Sequence, residues 1–125
     1  MTDYVLIPGA CHGGWCFDDL AQALRTAGHN VLTLTLTGVA ERAHLAHAGV
    51  NLDTHVDDVV AAMAAELAPS AGAVLVGHSY GGMVATGVAD RVADRISHLV
   101  YLDAFVPRDG QSLFDLQGPE HRARV

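Results

Sequence analysis

Short apolar runs alternate along this chain with stretches in which apolar residues recur at the spacing of a helix face. Four runs rich in Val, Leu and Ile, at residues 4–7, 31–36, 73–76 and 96–102, predict strands buried on both faces. Three stripes between them predict helices: Phe17, Leu20, Leu24 and Ala27; Val56, Val59, Val60, Met63 and Leu67; and Val84, Val88 and Val92. This alternation predicts an α/β fold, a mostly parallel sheet with right-handed crossovers and helices on both faces.

Turn-forming residues mark the ends of the predicted elements. Gly28 ends the first helix, because glycine accepts the left-handed backbone that follows a last helical turn. We expect the second helix to start at Asp53 or Thr54 and to end before Pro69. Residues 37–51 form a long connection for a small domain, and such connections are often functional or mobile.

The composition narrows the classes of protein that this chain can belong to. A length of 125 residues predicts one domain or part of one, and 50% hydrophobic against 17% charged residues predicts a buried core. The net charge is -7 and the seven basic residues are scattered arginines, which argues against nucleic acid as a partner. No apolar run approaches the roughly 18 residues of a membrane helix, and no signal peptide is recognisable, so a cytoplasmic location is expected. Cys11 and Cys16 lie in one loop and are expected to be reduced thiols.

The segment Gly-His-Ser-Tyr-Gly at residues 77–81 contains the most informative chemistry. It lies between a predicted buried strand and a predicted helix, which is where a nucleophilic serine is raised above a parallel sheet on a strained turn. Side chains at positions 77 and 81 would collide within so sharp a turn, so glycine is expected at both. Ser79 is therefore the candidate nucleophile, and the N–H of Tyr80 would point at a developing oxyanion. The alternative is a glycine-rich turn with a capping serine.

The loop after the first strand supports this interpretation. Residues 8–15 read Pro-Gly-Ala-Cys-His-Gly-Gly-Trp. Acyl-transfer sites on such a scaffold need a second N–H donor from a loop after an early strand. Small residues at Gly9 and Ala10 would let the backbone approach the substrate. The alternative is a plain glycine-rich connection.

These blocks make the chain resemble the N-terminal half of an α/β-hydrolase. Within that superfamily it is similar to the branch of plant methyl-ester esterases and hydroxynitrile lyases, with their bacterial esterase-like relatives. The matching blocks are residues 8–15, 27–31 (Ala-Gly-His-Asn-Val), 77–83 (Gly-His-Ser-Tyr-Gly-Gly-Met) and 99–107 (Leu-Val-Tyr-Leu-Asp-Ala-Phe-Val-Pro). The first and third blocks are the specific ones.

The resemblance implies a serine hydrolase that cleaves a small-molecule carboxylic ester through an acyl-enzyme. Ser79 would be the nucleophile, and the N–H groups of Ala10 and Tyr80 would form the oxyanion hole, with no metal and no organic cofactor. Two positions depart from the pattern. Pro8 replaces the usual histidine, which is not the catalytic base, and Gly9 replaces the threonine of the lyases. The second departure favours hydrolysis over cyanide elimination.

The resemblance also implies a catalytic acid and a catalytic histidine, which residues 1–125 do not supply at the usual positions. Chain order in the superfamily is nucleophile, acid, histidine. His98 is expected at the wrong edge of the sheet, and His121 comes too early for the usual position. Asp103 is a candidate acid at the end of its strand, although this branch places its acid one strand later, which favours a structural or pocket role. We therefore expect residues 1–125 to be the N-terminal part of one hydrolase domain, with the acid and histidine beyond residue 125.

Three alternative interpretations remain open at this point. The protein could be a non-hydrolytic lyase of the same fold, or a hydrolase-like binding protein for small molecules. His44, His47 and His55 could suggest a metal site, but no cysteine or carboxylate completes a ligand set, which favours surface histidines. Trp15 and Phe17 are expected to pack in the core. The 125 residues alone are expected to be inactive and to self-associate, as a homo-oligomer or an aggregate, through an open sheet edge.

Overall fold

Four parallel strands form the sheet in a computed structural model, which describes residues 1–68 and 72–117. The strands are β1 (Asp3–Ile7), β2 (Asn30–Thr33), β3 (Ala73–His78) and β4 (Ile96–Leu102), and their order across the sheet is β2-β1-β3-β4. All three pairings are parallel, which confirms the predicted α/β class. The second strand is shorter than predicted and the third is longer, so that the third reaches the residue before Ser79.

Helices connect the strands in the predicted order. They are α1 (Asp18–Thr26), α2 (Leu52–Glu66), α3 (Gly81–Arg91) and the short α4 (Leu113–Gln117), with 3-10 turns at Gly14–Phe17, Ala40–Leu45 and Ala93–Arg95. The second 3-10 turn lies inside the long connection over residues 37–51. Within the described ranges no helix is both long and apolar enough to cross a bilayer.

The helix boundaries follow local capping chemistry. Gly28 has φ 94°, which confirms it as the residue that ends α1. The predicted start of α2 was wrong, because Asn51 is the N-cap. Its side-chain oxygen accepts a hydrogen bond from the Thr54 N–H at 3.1 Å, and the Thr54 hydroxyl accepts one from the Asn51 N–H at 3.1 Å. Pro69 lies outside the described residues.

One face of the sheet is completely covered. Helices α2 and α3 pack there through a single cluster of buried side chains: Val5, Ile7, Leu36, Val56, Val59, Met63, Ala73, Leu75, Val84, Ala85 and Val88. The opposite face has a smaller cluster, in which Phe17 and Ala21 contact Leu6 and Val76. The prediction for the first helix was wrong in part, because Leu20 is 40% exposed and Ala21 takes its expected place against the sheet.

The outer strand β4 is covered on one side only. Its side chains alternate between half-buried and exposed along most of its length, and Val100 and Leu102 are 41% and 45% exposed. The prediction of strands buried on both faces is therefore wrong for β4, and also for the other outer strand, β2, whose residues are half-buried or exposed. Both exposed side chains lie on the face that carries only α1, which packs against the other end of the sheet.

Candidate active site

The backbone at Ser79 makes a sharp, left-handed turn between strand and helix. β3 ends at His78, α3 begins at Gly81, and Ser79 has φ 53°. A non-glycine residue in this conformation is strained, and such strain persists only where the surroundings enforce it. The Ser79 carbonyl oxygen accepts hydrogen bonds from the Gly82 N–H at 3.0 Å and the Phe105 N–H at 3.1 Å. The turn is therefore fixed from the helix and from the loop after β4.

Crowding explains the glycines around this serine. A Cβ atom at Gly77 would lie 2.5 Å from the Gly81 carbonyl oxygen, and one at Gly81 would lie 2.5 Å from the Ile7 carbonyl oxygen. A Cβ at Gly9 would lie 3.0 Å from the Ser79 Cβ. The neighbours are mostly backbone atoms that cannot move aside. The expected collision at positions 77 and 81 is thus present in the structure.

Each of the two residues predicted to supply the oxyanion hole is the chain neighbour of a residue at the Ser79 turn. Gly9 lies so close to Ser79 that an added Cβ would be 3.0 Å from the serine Cβ, and Ala10 follows Gly9, with its carbonyl oxygen 2.8 Å from His12 Nδ1. Tyr80 precedes the first residue of α3, where the helix dipole places partial positive charge. The arrangement suits stabilisation of a negative oxygen near Ser79, and the assignment of these two N–H groups stays a prediction.

A buried histidine holds the side chain of Tyr80. His55, on the first turn of α2, has its Nδ1 2.8 Å from the Tyr80 hydroxyl and its Nε2 2.9 Å from the Thr37 carbonyl oxygen. Burial raises the pKa of Tyr80 to about 12, so the phenol stays protonated and donates to Nδ1, while Nε2–H donates to Thr37. The prediction of a surface histidine was wrong, because His55 is only 8% exposed. Its position four residues before Val59, on the predicted apolar stripe of the helix, was the signal that could have shown this.

The start of α2 also anchors the chain at Thr37. The Asp58 carboxylate accepts hydrogen bonds from the Thr37 N–H and the Thr37 hydroxyl, both at 2.7 Å. Because His55 binds the carbonyl, all three polar groups of Thr37 are held by one helix. These contacts fix the first residue of the long connection over residues 37–51.

A second polar cluster joins this segment to the loop after β1. The buried Thr35 hydroxyl accepts from the Gly14 N–H at 2.9 Å and donates to Glu41 at 2.6 Å, and the Trp15 indole N–H donates to the same carboxylate at 3.1 Å. The hydrogen bond from Thr35 holds the pKa of Glu41 below its usual value, with help from backbone, Trp15 and Arg42. Trp15 is 55% exposed, so its predicted core role was wrong, whereas Phe17 is buried as expected.

Asp103 lies at the same sheet edge as Ser79. Leu102 pairs with His78 in the β3–β4 register, so the residues that follow them, Asp103 and Ser79, leave the sheet side by side. Asp103 is exposed and has φ 45°. Its role as an acid stays a prediction.

The histidines described near the site have other partners. His98 pairs with Val74 and lies 3.4 Å from the Ser97 hydroxyl, toward the opposite edge of the sheet, as expected. His12 and His55 are engaged as described above, and the ring of His78, the residue before Ser79, lies edge-on to the ring of His12 with the ring centroids 6.4 Å apart. His121 lies outside the described residues. None of these contacts supplies a base for Ser79.

The described residues show no metal-site geometry at His44, His47 and His55. His44 and His47 are exposed, and His47 Nδ1 accepts from the Gly49 N–H at 3.0 Å. Over residues 1–68 and 72–117 no three His, Cys, Asp or Glu side chains gather closely enough to hold an ion. Cys11 and Cys16 are free thiols, and partial burial raises the pKa of Cys16.

Comparison with known proteins gives consistent relatives. A profile of the alpha/beta hydrolase family matches residues 4–125. A carbendazim-hydrolysing esterase of Nocardioides sp. (strain SG-4G) is 59% identical over 116 residues, which are 93% of this chain and 47% of that protein. Esterase PIR7B of Oryza sativa subsp. japonica is 33% identical over 112 residues, 88% of this chain and 41% of that protein.

Solved structures agree with these sequence matches. An extracellular alpha/beta-hydrolase from a Paenibacillus species, described as sharing structural and functional homology with tobacco salicylic acid binding protein 2, superposes with a TM-score of 0.85 at 32% identity. The match covers 99% of this chain and 49% of that one. Polyneuridine aldehyde esterase superposes with a TM-score of 0.77 at 26% identity, covering 95% of this chain and 49% of that one. This chain spans about half the length of the relatives it matches.

Proposed function

This chain belongs to the alpha/beta hydrolase family, and from that premise we propose that it is the N-terminal part of a serine hydrolase for carboxylic esters. The observation that carries the proposal is the left-handed Ser79, raised between β3 and α3 and enclosed by Gly9, Gly77 and Gly81. A strained, non-glycine backbone at this point is difficult to explain by folding alone, because it costs about 1–2 kcal/mol. Esterases among the relatives support the same reaction.

In the proposed reaction, the Ser79 hydroxyl gives its proton to a histidine base and its oxygen attacks the ester carbonyl carbon; the protonated histidine is then the general acid. The carbonyl oxygen becomes negative and accepts hydrogen bonds from the N–H groups of Ala10 and Tyr80. The C–O bond to the alcohol then breaks, the alcohol leaves with a proton from the general acid, and an acyl-serine remains. Water attacks that intermediate in the same way and releases the carboxylic acid.

We propose that the histidine base lies outside the residues described here. His12 and His55 have other hydrogen-bond partners, and His78 has its ring edge-on to that of His12. The relatives are about twice as long as this chain. The acid has two candidates, a residue from that further part of the domain or Asp103. The location of Asp103 beside Ser79 at the sheet edge supports the second candidate.

The proposed partner is a small-molecule ester, with no metal and no organic cofactor in the reaction. Carbendazim is the first compound to assay, because the relative named for its hydrolysis is 59% identical. A cytoplasmic location is proposed with the support of the free thiols of Cys11 and Cys16. For residues 1–125 on their own, self-association is proposed through the exposed Val100 and Leu102 on β4.

Labelling with a fluorophosphonate probe tests the proposal directly. The protein with the complete domain is incubated with the probe, digested and sequenced by mass spectrometry, alongside assays with carbendazim and with chromogenic esters. We expect the adduct on Ser79 and turnover of at least one ester. Tight ester binding without turnover or labelling would indicate the binding-protein alternative. Elimination from a cyanohydrin without ester cleavage would indicate a lyase.

A further inference from the structure

The carboxylate of Glu41 is shared by two side chains from different segments of the chain. Its Oε1 accepts a hydrogen bond from the Trp15 indole N–H at 3.1 Å, and its Oε2 accepts one from the Thr35 hydroxyl at 2.6 Å. Trp15 lies at the end of the loop that contains Ala10, and Thr35 lies just beyond β2. Glu41 is therefore joined to the loop that would supply one half of the proposed oxyanion hole. The steps of the proposed reaction assign no task to this carboxylate.

The carboxylate also packs directly on the backbone of that loop. We call residues 8–15 the oxyanion loop and residues 35–43 the wall. A Cβ atom at Gly13 would collide with Glu41 Oε1 and with the ring of Trp15. The absence of a side chain at Gly13 is therefore what lets the carboxylate reach the indole, and the two segments touch at this point.

The buried Thr35 hydroxyl relays this contact to the next residue of the oxyanion loop. Thr35 is 7% exposed, and its hydroxyl accepts from the Gly14 N–H at 2.9 Å while it donates to Glu41 at 2.6 Å. The Thr35 carbonyl oxygen accepts from the Arg42 guanidinium at 2.8 Å. A hydroxyl has one proton, and Glu41 fixes where that proton points. The lone pair that Gly14 needs is thereby kept free.

The chemistry of the two donors explains why residue 41 is an acid. An indole N–H can only donate, and the Thr35 hydroxyl, which already accepts from Gly14, has only its proton to offer. Residue 41 must therefore accept twice, and an ionised carboxylate has one oxygen for each donor. The hydrogen bond from Thr35 is the largest cause that lowers the pKa of Glu41, so the group is ionised at neutral pH. An amide has one oxygen, and its NH₂ group would face the other donor.

Ala10 lies between two fixed points of the oxyanion loop. On one side Gly9 is packed so closely on the Ser79 turn that an added Cβ would lie 3.0 Å from the serine Cβ. On the other side Gly14 is held by the wall. Between them Cys11 has φ 64°, and a non-glycine residue keeps such a strained backbone only where its surroundings enforce it. The direction of the Ala10 N–H therefore depends on both fixed points.

We propose that Glu41 is a positioning residue, which acts through Thr35 and Trp15 to hold the oxyanion loop so that the Ala10 N–H meets the carbonyl oxygen of the ester. The proposal rests on the proposed hydrolase function. Glu41 takes no part in proton transfer or bond breaking. Oxyanion donors bind the transition state more strongly than the ester, so misalignment lowers kcat more than it raises KM.

Four variants of the protein with the complete domain test this role. Glu41→Gln removes one hydrogen bond at nearly unchanged shape. Thr35→Val removes the relaying hydroxyl, and Thr35→Ser keeps it. Glu66→Gln is the matched control, because it makes the same exchange at an exposed carboxylate at the end of α2. Kinetics with p-nitrophenyl acetate give kcat and KM, and urea denaturation verifies that each variant is folded under the assay conditions.

We expect Glu41→Gln and Thr35→Val to lower kcat about tenfold and to leave KM within about threefold, a smaller loss than the roughly 10²–10³-fold cost of removing an oxyanion donor outright. Thr35→Ser and Glu66→Gln should stay within about twofold of the wild type. If Glu41→Gln keeps the wild-type kcat, the positioning role is refuted although the hydrolase stands. A Thr35→Ser protein as slow as Thr35→Val would contradict the relay through the hydroxyl.

A structural measurement keeps the test independent of catalysis. In ¹⁵N NMR spectra of the substrate-free protein, Glu41→Gln should shift the indole signal of Trp15 and the amide signals of Gly14 and Ala10, and Glu66→Gln should not. If the wild type hydrolyses no ester but these signals shift, Glu41 positions the loop and the hydrolase proposal fails. If the Ala10 signal does not move, the positioning proposal fails, whatever the kinetics give.

Discussion

Two segments close to the loop after β1 are held by different kinds of contact. The turn at residues 77–82 is fixed by backbone contacts, with glycine wherever a Cβ would meet a carbonyl group. The wall at residues 35–43 is fixed by side chains, because Thr35, Thr37 and Glu41 hydrogen-bond across to helix α2 and to the loop after β1. The difference teaches that the turn tolerates no added atom, whereas the wall depends on single side chains that can be exchanged.

The largest effect is expected at the nucleophile itself. In the protein with the complete domain, Ser79→Ala should lower kcat about ten-thousandfold or more, because the attacking oxygen is gone while the oxyanion donors stay. Ser79→Gly should be equally inactive. Its free energy of unfolding should be about 1 kcal/mol higher than that of Ser79→Ala, because glycine adopts the left-handed backbone without strain. Ester kinetics and urea denaturation measure both. An active Ser79→Ala protein would refute the nucleophile.

The next largest effect is expected from one methyl group in the turn. Gly81→Ala places a Cβ 2.5 Å from the Ile7 carbonyl oxygen and 2.9 Å from that of Pro8, so we expect a loss of about 3 kcal/mol or more in the free energy of unfolding. Gly49→Ala is the control, because the added atom there meets only the ring of the exposed His47, at 3.0 Å. Equal stabilities for the two variants would show that the turn is not sterically locked.

At His55, which holds the wall segment at Thr37, two conservative variants should each restore a hydrogen bond that a disruptive variant removes. His55→Leu leaves the Tyr80 hydroxyl and the Thr37 carbonyl without a partner, at a cost of about 1–3 kcal/mol each. Asn places an oxygen near the position of Nδ1 and so should recover the Tyr80 contact and kcat. Gln places an N–H near that of Nε2 and so should recover mainly the Thr37 contact and stability.

Urea denaturation and ester kinetics of the three His55 variants separate the two contacts. All three variants replace the same side chain, so the wild type is their common reference. Identical behaviour of the Asn, Gln and Leu variants would show that the hydrogen bonds of His55 have no positioning role.

The smallest effect on stability is expected at the exposed end of the wall. Hydrogen bonds from Thr35, the backbone and Trp15 lower the pKa of Glu41 from its ordinary 4.5. A carboxylate whose pKa is lowered by folding stabilises the fold at pH values above its pKa in the unfolded chain. This contribution is lost as the pH falls through its pKa in the folded protein. The Tm difference between wild type and Glu41→Gln should therefore be largest near neutral pH and shrink below pH 4.5. A difference that does not change with pH would contradict this account.

Most of the sheet could be predicted from the sequence, because its signals are local. Apolar runs gave all four strands, and the motif at residues 77–81 placed Ser79 at the end of one of them. β4 was misjudged for a physical reason: a Val- and Leu-rich run shows that a strand forms, but not whether a helix covers its second face. The first helix was misjudged similarly, because the stripe that includes Leu20 is apolar without contacting the sheet.

The hydrogen bonds between His55 and Tyr80 and between Trp15 and Glu41 could not be predicted from the sequence. His55 and Tyr80 are 25 positions apart, and Trp15 and Glu41 are 26 apart, so each pair meets only once the sheet has formed. In the sequence, His55 follows His44 and His47 and could be a metal ligand or a surface residue. Only the structure shows that His55 is buried and that it hydrogen-bonds to the Tyr80 hydroxyl.

The left-handed backbone at Ser79 also has a genetic consequence. Where the serine codon is AGC or AGT, a single base change produces a glycine codon, and glycine would remove the strain at this position. Mutation then offers a more stable protein in one step, at the expense of the proposed reaction. In a duplicated gene that no longer had to carry out that reaction, we expect this position to be among the first to change.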